Sequence, residues 1–304
     1  MVQLVVPDPA FIYVAFCFCS YFLSSYYFIK IQDSTLLGNI SKICLKNDQV
    51  YIADGFSLFI LDKSGNLIKK LNKVGRAQGE YLEISDFAIV GECIVILDGE
   101  QKKVLMYSLS GQFIRSYIAA NYISSLGVLN DSLLVFNSRY VALGNKFHLF
   151  NVNQWREINS FHLISMSRIT YSHFLQDRNF MRLNKRLLFC ESMNGNVYEV
   201  MPDTARVRYI LNINNQLPSD SFFDKEYLDV REFMESFKRF GYICGNAFFA
   251  ESESSILFSY RGSKNANTCF YNKKTAQSHH FKRIIFSESI PARRRRCGNF
   301  HTTS

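Results

Sequence analysis

The chain has 304 residues, 48% of them hydrophobic and 15% aromatic, enough apolar mass for one large β domain or two ordinary ones. Only five prolines among them exclude a linker-rich, disordered chain. The net charge of +9 is no nucleic-acid footprint, because Arg293, Arg294, Arg295 and Arg296 supply four of it and the rest gathers on no helix face or RNA-binding motif.

In chain order, residues 1–30 form an apolar N-terminal segment. Ala10 to Ile29 carries no charge and is about as long as a bilayer-crossing helix requires. It has no basic region before it and no small-residue cleavage site. A membrane tether through 10–29, a degenerate signal and a buried strand pair all remain open at this point.

A repeat follows. Ile43 to Asp54 and Phe59 to Leu71 align with Phe87 to Asp98 and Val104 to Tyr117. Each unit is an apolar strand, a polar turn, a strand ending in Asp, an aromatic strand, a Ser-Gly turn (Ser64-Gly65, Ser110-Gly111) and a last strand. Four strands in about 45 residues is the size of one propeller blade. Weaker copies run over Leu126 to Phe161, Arg182 to Leu211 and Phe248 to Phe281. Leu61, Tyr107, Phe150, Tyr198 and Tyr271 mark equivalent positions, spaced 46, 43, 48 and 73 residues apart. The last interval is long because 219–240 reads as one inserted helix, with Ser219 or Asp220 as N-cap, Gly241 as stop, and Tyr227, Val230, Phe233, Met234 and Phe237 as its apolar stripe.

The fold class expected is all-β: a β-propeller with five visible four-stranded blades over 31–286, an incomplete sixth left open, and a basic, disordered tail over 287–304.

At Leu36 to Ile43, Val50 to Asp54, Leu61 to Leu71 and above all Val74 to Ile89, the chain resembles the six-bladed, NHL-repeat-like β-propellers of Bacteroides-type bacteria. Gly75, Gly79, Glu80, Tyr81, Asp86 and Phe87 keep that family's inter-blade loop; Ala77 and Gln78 depart from it. The resemblance implies a cell-envelope location and a binding or scaffold role without an assigned reaction. The C-terminal stretch after Phe281 does not read as a blade, which implies a shortened relative.

Chemistry is sparse. Gly75 to Gly79 lacks the Gly-Lys-Ser/Thr of a phosphate loop, and its glycines are expected to serve a tight crossing with positive φ. Asp54, Asp62, Glu80, Asp86 and Asp98 recur at blade positions and suit turn capping or inter-blade hydrogen bonds. The eight cysteines form no C-x-x-C pair, and Cys44, Cys93, Cys190 and Cys269 lie in apolar runs. The six histidines have no metal spacing and no G-x-S-x-G elbow occurs. No catalytic, metal or cofactor residue is nominated and no cofactor is expected. Tyr140, Trp155 and Tyr260 are the candidate ligand-binding aromatics for a carbohydrate, peptide or protein ligand. The leading expectation is a non-catalytic envelope binding protein; a metal-dependent hydrolase or lyase of the sugar-lactone type and a membrane-tethered sensor are the alternatives.

Overall fold

The computed structural model describes residues 2–4, 13–17, 26–27, 38–138, 144–163, 180–183, 185–190, 193–211, 217–242, 245–261 and 266–281. Five antiparallel four-stranded sheets follow one another along the chain, each with its strands in sequence order. They are β4–β7 (Lys42–Lys46, Gln49–Ala53, Leu58–Asp62, Leu67–Leu71), β8–β11 (Asp86–Val90, Cys93–Asp98, Lys103–Ser108, Phe113–Ile118), β12–β15 (Ser125–Asn130, Leu133–Asn137, Asn145–Asn151, Arg156–Leu163), β16–β19 (Phe180–Leu183, Arg186–Cys190, Asn196–Val200, Ala205–Ile210) and β20–β23 (Gly245–Glu251, Ser255–Arg261, Ala266–Asn272, Gln277–Phe281). The first strand of each sheet neighbours the first strand of the next, in the series β4, β8, β12, β16, β20. The fold is a five-bladed β-propeller, where the resemblance implied six blades. The tail over 287–304 and any strands after Phe281 lie outside the described residues.

The five register marks all fall on third strands. In blades one to four the pairing of third with fourth strand slips by one residue immediately before the mark, at Ile60/Leu61, Met106/Tyr107, Leu149/Phe150 and Val197/Tyr198. A bulge leaves one residue unpaired and increases local twist. Its recurrence at one position shows that these blades are copies of a single unit.

The blades hold together by packing face to face. Between the first two lie Tyr51, Ile60, Phe87, Ile96, Leu105 and Tyr107, with Tyr81 and Ile84 from the connecting loop. Val95, Leu97 and Val104 meet Leu134, Phe136 and Phe150 at the second seam. Phe147 meets Phe189 edge-on at 4.9 Å across the third, and Leu188 and Val197 meet Phe249 and Phe258 at the fourth. Blades two to four are packed on both faces, so an inner strand such as β9, buried at every residue but Cys93, carries an unbroken apolar run rather than strict alternation.

The connections divide by length. Strand pairs one–two and three–four are joined by two to four residues: 47–48, 63–66, 91–92, 109–112, 131–132, 152–155, 184–185, 201–204, 252–254 and 273–276. Asn47 and Asp48 both take positive φ, +49° and +62°, as a two-residue hairpin turn of the matching twist requires. Strand pairs two–three are joined by four to seven residues (54–57, 99–102, 138–144, 191–195 and 262–265) and the blade-to-blade crossings by six (119–124) to 34 (211–244). Because the strands are antiparallel, the one–two and three–four turns sit at one end of the blades, the tight-turn end, and the two–three connections and crossings at the other, the long-connection end.

The crossing 211–244 holds two helices instead of the single one expected: α1 (Asp220–Phe223) and α2 (Val230–Arg239). The break has a local cause. The Asp229 carboxylate accepts the Glu232 N–H at 2.8 Å and starts a fresh helix, while Glu232 reaches back to the Leu228 N–H at 2.7 Å. Gly241 ends α2 at φ +68°. Phe222, Phe223, Tyr227, Phe233 and Phe237 bury themselves with Met193, which lies in the 191–195 connection of the fourth blade.

The N-terminal segment contains a separate three-stranded antiparallel sheet: β1 (Val2–Leu4), β2 (Tyr13–Cys17) and β3 (Tyr26–Tyr27). Among the described residues no helix is long and apolar enough to cross a membrane.

Candidate functional site

The buried polar side chains are distributed unevenly. Ser57, Asp86, Asp98, Lys103, Ser125, Asn137, Ser138 and Lys146 are all buried and all sit at or beside strand ends facing the long connections. That end also carries the helical insertion and the exposed apolar residues Phe56, Val74, Leu228 and Phe240, with Leu228 95% exposed. Elsewhere, most exposed large apolar residues lie on outermost strands, such as Ile68, Ile114, Leu163 and Ile210. The long-connection end is therefore the candidate site.

Its centre is Asp86, the first residue of β8. One carboxylate oxygen accepts from Lys42 Nζ at 2.6 Å and the other from the Leu126 N–H at 2.7 Å. Lys42 belongs to the first blade and Leu126 to the third, so one side chain ties three innermost strands together. Lys42 also donates to the Phe87 carbonyl at 2.8 Å. The carboxylate is thus paired and neutralised where an open ring of carboxylates would be needed to hold a metal ion. Among the described residues no group of three or more His, Cys, Asp or Glu could hold one.

The loop 72–85 is built from the same kind of contact. Tyr81 is fully buried, and its hydroxyl accepts the Lys73 N–H at 3.2 Å and lies 3.2 Å from the Phe56 carbonyl oxygen. Burial pushes its phenol up to about 12. Lys103 Nζ donates to the carbonyls of Ala77 and Glu80 at 2.9 and 2.8 Å, and the Tyr107 hydroxyl donates to that of Gly79 at 2.9 Å. Glu80 accepts the Ala77 N–H at 2.9 Å. The expectation of positive φ at Gly75 and Gly79 is corrected: neither is among the residues with positive φ. What they provide is close approach. A Cβ on Gly75 would collide with the Glu80 carboxylate, and one on Gly79 would meet the Phe113 ring at 3.0 Å.

The other recurring carboxylates cap turns. Asp54 accepts the N–H groups of Phe56 and Ser57 at 3.1 and 2.7 Å, and that of Gly38 at 3.2 Å. Asp98 accepts those of Gln101 at 3.0 Å and Leu82 at 2.6 Å. Asp62, at the tight-turn end, accepts those of Ser64 and Asn66.

Ser138, His148 and Glu157 form a trio that no motif announces, with His148 Nε2 3.1 Å from Ser138 Oγ and Nδ1 2.8 Å from Glu157 Oε1. The spacing resembles a nucleophile, base and orienting acid. The hydrogen bonds contradict that reading. The Ser138 hydroxyl gives its one proton to the Asn145 carbonyl at 2.9 Å, so that proton is not offered to the ring, and Nε2 itself lies 3.0 Å from the same carbonyl. The trio instead clasps the base of the 138–144 connection.

The nominated aromatics are not brought together. Tyr140 lies outside the described residues. Trp155 occupies the 152–155 turn at the opposite end from Asp86, at φ +56°, with Arg115 4.7 Å over its indole and Phe150 edge-on at 5.1 Å. Tyr260, near the long-connection end, is only 9% exposed, and its hydroxyl lies 3.4 Å from His280 Nδ1. Sequence reasoning passed over Phe56, Leu228 and Phe240; the one signal was an apolar residue inside a polar turn, as in Asp54-Gly-Phe56-Ser. Asn137, 3% exposed, presents an Oδ1 with no protein partner among the described residues. Cys190 and Cys269 are buried, Cys44 and Cys93 half-buried, and burial raises the Cys269 thiol to about 11.

Among solved structures the chain is similar to a candidate exported protein of Bacteroides fragilis NCTC 9343, at TM-score 0.72 and 18% identity over 91% of this chain and 77% of that one. It is also similar to a catalytically inactive virginiamycin B lyase of Staphylococcus aureus with quinupristin (TM-score 0.55, 10% identity, 92% and 87% covered) and to a streptogramin B lyase (0.53, 11%, 93% and 86%). At such identities the likeness concerns the fold. A search of the curated proteins gives no match. Over residues 22–294 the sequence matches a family model described as a domain of unknown function, and the chain belongs to that family, DUF4934.

Proposed function

We propose that this is a non-catalytic binding or interaction protein of the cell envelope, and that it takes its ligand at the long-connection end of the propeller. The observation that carries the reading is the convergence there of the long connections, the helical insertion, the exposed Phe56, Leu228 and Phe240, and the buried polar groups around Asp86 and Asn137. Apolar contact area with a few fixed polar groups is what a ligand site needs, and the tight-turn end has neither the length of chain nor the helices to form one. The Lys42–Asp86 pair and the Ser138 hydroxyl bond to the Asn145 carbonyl favour binding over hydrolysis. An envelope location draws on the exported status of the Bacteroides fragilis neighbour, and kinship with six-bladed, NHL-repeat-like propellers belongs to the same reading. Tyr260 would then support the site from beneath.

The ligand class is a carbohydrate, a peptide or a protein. A glycan and peptide array screened with the purified chain tests the proposal. Phe56→Arg and Leu228→Arg are expected to abolish the signals, while Asp203→Arg, in an exposed tight turn, leaves them intact. Signals lost with Asp203→Arg and kept with the other two would overturn it.

A further inference from the structure

The outermost strands of the blades do not all present the same edge. In blades one to four the fourth strand carries one residue that pairs with nothing on the third: Ile68, Ile114, Ile158 and Arg208. The residue after each of these bonds the next blade. Lys69 Nζ donates to the Ser110 carbonyl, Arg115 to the Val152 carbonyl at 2.6 Å, Asn159 Nδ2 to the Pro202 carbonyl at 3.4 Å, and the Tyr209 hydroxyl to the Glu251 carboxylate. The bulge breaks the row of N–H and C=O groups that a free edge offers to another strand. It also turns the following side chain toward the neighbouring blade.

β23 of the fifth blade lacks both features. Its pairing with β22 runs without a slip from Asn272↔Gln277 to Thr268↔Phe281. His279 stands opposite the residue before the register mark Tyr271, where Lys69, Arg115, Asn159 and Tyr209 stand in their own blades, and it bonds no other blade among the described residues. Gln277, Ser278, His279 and His280 are all exposed. The strand carries no bulge, proline or lysine, the devices that ordinarily protect an edge. The charge around it has one sign: from Ser254 to Phe286 the sequence has six Lys and Arg and no Asp or Glu.

We infer that β23 is a docking edge, and that its occupant is an extended acidic segment of a partner protein, added to the fifth blade as a further strand. Main-chain hydrogen bonds supply the affinity and the basic blade selects the charge. A segment with Asp or Glu at alternate positions sets its carboxylates along one face of the enlarged sheet, in the field of Lys273, Lys274, Lys282 and Arg283, which flank β23 in sequence. A second copy of this chain fits less well, because two such edges would bring like charges together. The inference is independent of what the long-connection end binds.

The probe is a fluorescein-labelled peptide of about ten residues, alternating Glu and Val, titrated into the full chain and read by anisotropy. Hydrogen exchange of the complex is expected to protect β23. The same peptide N-methylated at consecutive central residues loses a donor on both of its edges and is expected to bind at least about tenfold more weakly. A Lys-Val peptide is expected not to bind. On the protein side, an isoleucine inserted between Ser278 and His279 recreates the bulge that the other four blades accommodate, and is expected to weaken binding by about tenfold. Should the inserted variant not fold, the N-methylated peptide decides the matter alone. No binding of the Glu-Val peptide, equal binding of the N-methylated or Lys-Val peptide, protection that avoids β23, or full affinity in a folded inserted variant overturns the inference. So does a β23 that exchanges as slowly in the free chain as in the complex, whether covered by another segment of the chain or by a second copy.

Discussion

The two ends of the blades solve the same problem, satisfying backbone groups where strands stop, in different ways. At the tight-turn end the solution is local: Asp62 caps its own turn through Ser64 and Asn66, Asn151 does so through Asn153 and Gln154, and Gly65 and Gly111 take the positive φ the turns need. At the long-connection end Asp54 and Asp98 cap turns as well, but buried side chains also reach partners distant in sequence. Asp86 bonds residues 44 positions before it and 40 after it, and Lys103 reaches back to Ala77. Local turns fix the shape of one blade; the long-range bonds fix blades to one another.

If that division is right, the largest loss comes from cutting the long-range end. Asp86→Ala leaves Lys42 unpaired and the Leu126 N–H without its acceptor, and is expected to cost about 3–5 kcal/mol in urea unfolding. A cost below about 1 kcal/mol would show the three-blade tie to be decorative.

The tight-turn end also has cross-blade contacts: Lys46 Nζ donates to the Gly91 carbonyl at 2.9 Å, Arg115 to the Val152 carbonyl at 2.6 Å, and a third gathers charge on one carboxylate. Glu251, its side chain 7% exposed, accepts from Arg208 at 3.0 Å, from Lys273 at 2.5 Å and from the Tyr209 hydroxyl, joining the fourth and fifth blades. Burial opposes its ionisation, but those hydrogen bonds outweigh burial and hold the carboxyl at about 2. A carboxyl depressed in the folded state stabilises the fold above the ordinary carboxylate range of about 4.3, and the contribution disappears as pH falls toward 2. Hydrogen exchange under acid is therefore expected to loosen the fourth seam as pH falls toward 2. Glu251→Gln is expected to lower stability by about 2 kcal/mol at neutral pH and to flatten this acid limb.

Smaller effects separate the two ends more finely. Gly111→Ala puts a side chain at φ +76° in a tight turn and is expected to cost about 1–2 kcal/mol, felt within the second blade. Tyr107→Phe removes the donor to the Gly79 carbonyl and is expected to cost about 1 kcal/mol, felt at the first seam. Exchange maps of the two variants show whether the loss spreads as stated. Smallest of all, Cys269, raised to about 11, is expected to react with iodoacetamide at pH 8 only as fast as its seam opens.

The same division explains what could be read from the sequence. The first two repeats were legible because they carry their own punctuation: Ser-Gly turns, Asp54 and Asp98 after the second strand and an aromatic in the third all lie within a few residues of what they control. The break between α1 and α2 was harder, because an apolar stripe runs through 227–237 and only the Asp229 cap interrupts it. The candidate site was mostly illegible. Its bonds join residues some 40 positions apart, a separation at which no spacing rule operates, and aromatic type alone could not distinguish Trp155 in a turn at the far end, or Tyr260 beneath the surface, from an exposed residue such as Phe56. Gly75 and Gly79 were noticed for the right reason of scarce space and assigned the wrong cause, since a glycine that admits a neighbour looks the same in sequence as one that admits a positive φ.

The central claim, that one end of the propeller binds and the other only turns, is tested most directly by hydrogen exchange of the full chain with and without the strongest array ligand. Protection is expected in 54–57, 72–85 and 217–242. Protection confined to 47–48, 63–66 and 109–112 would contradict it.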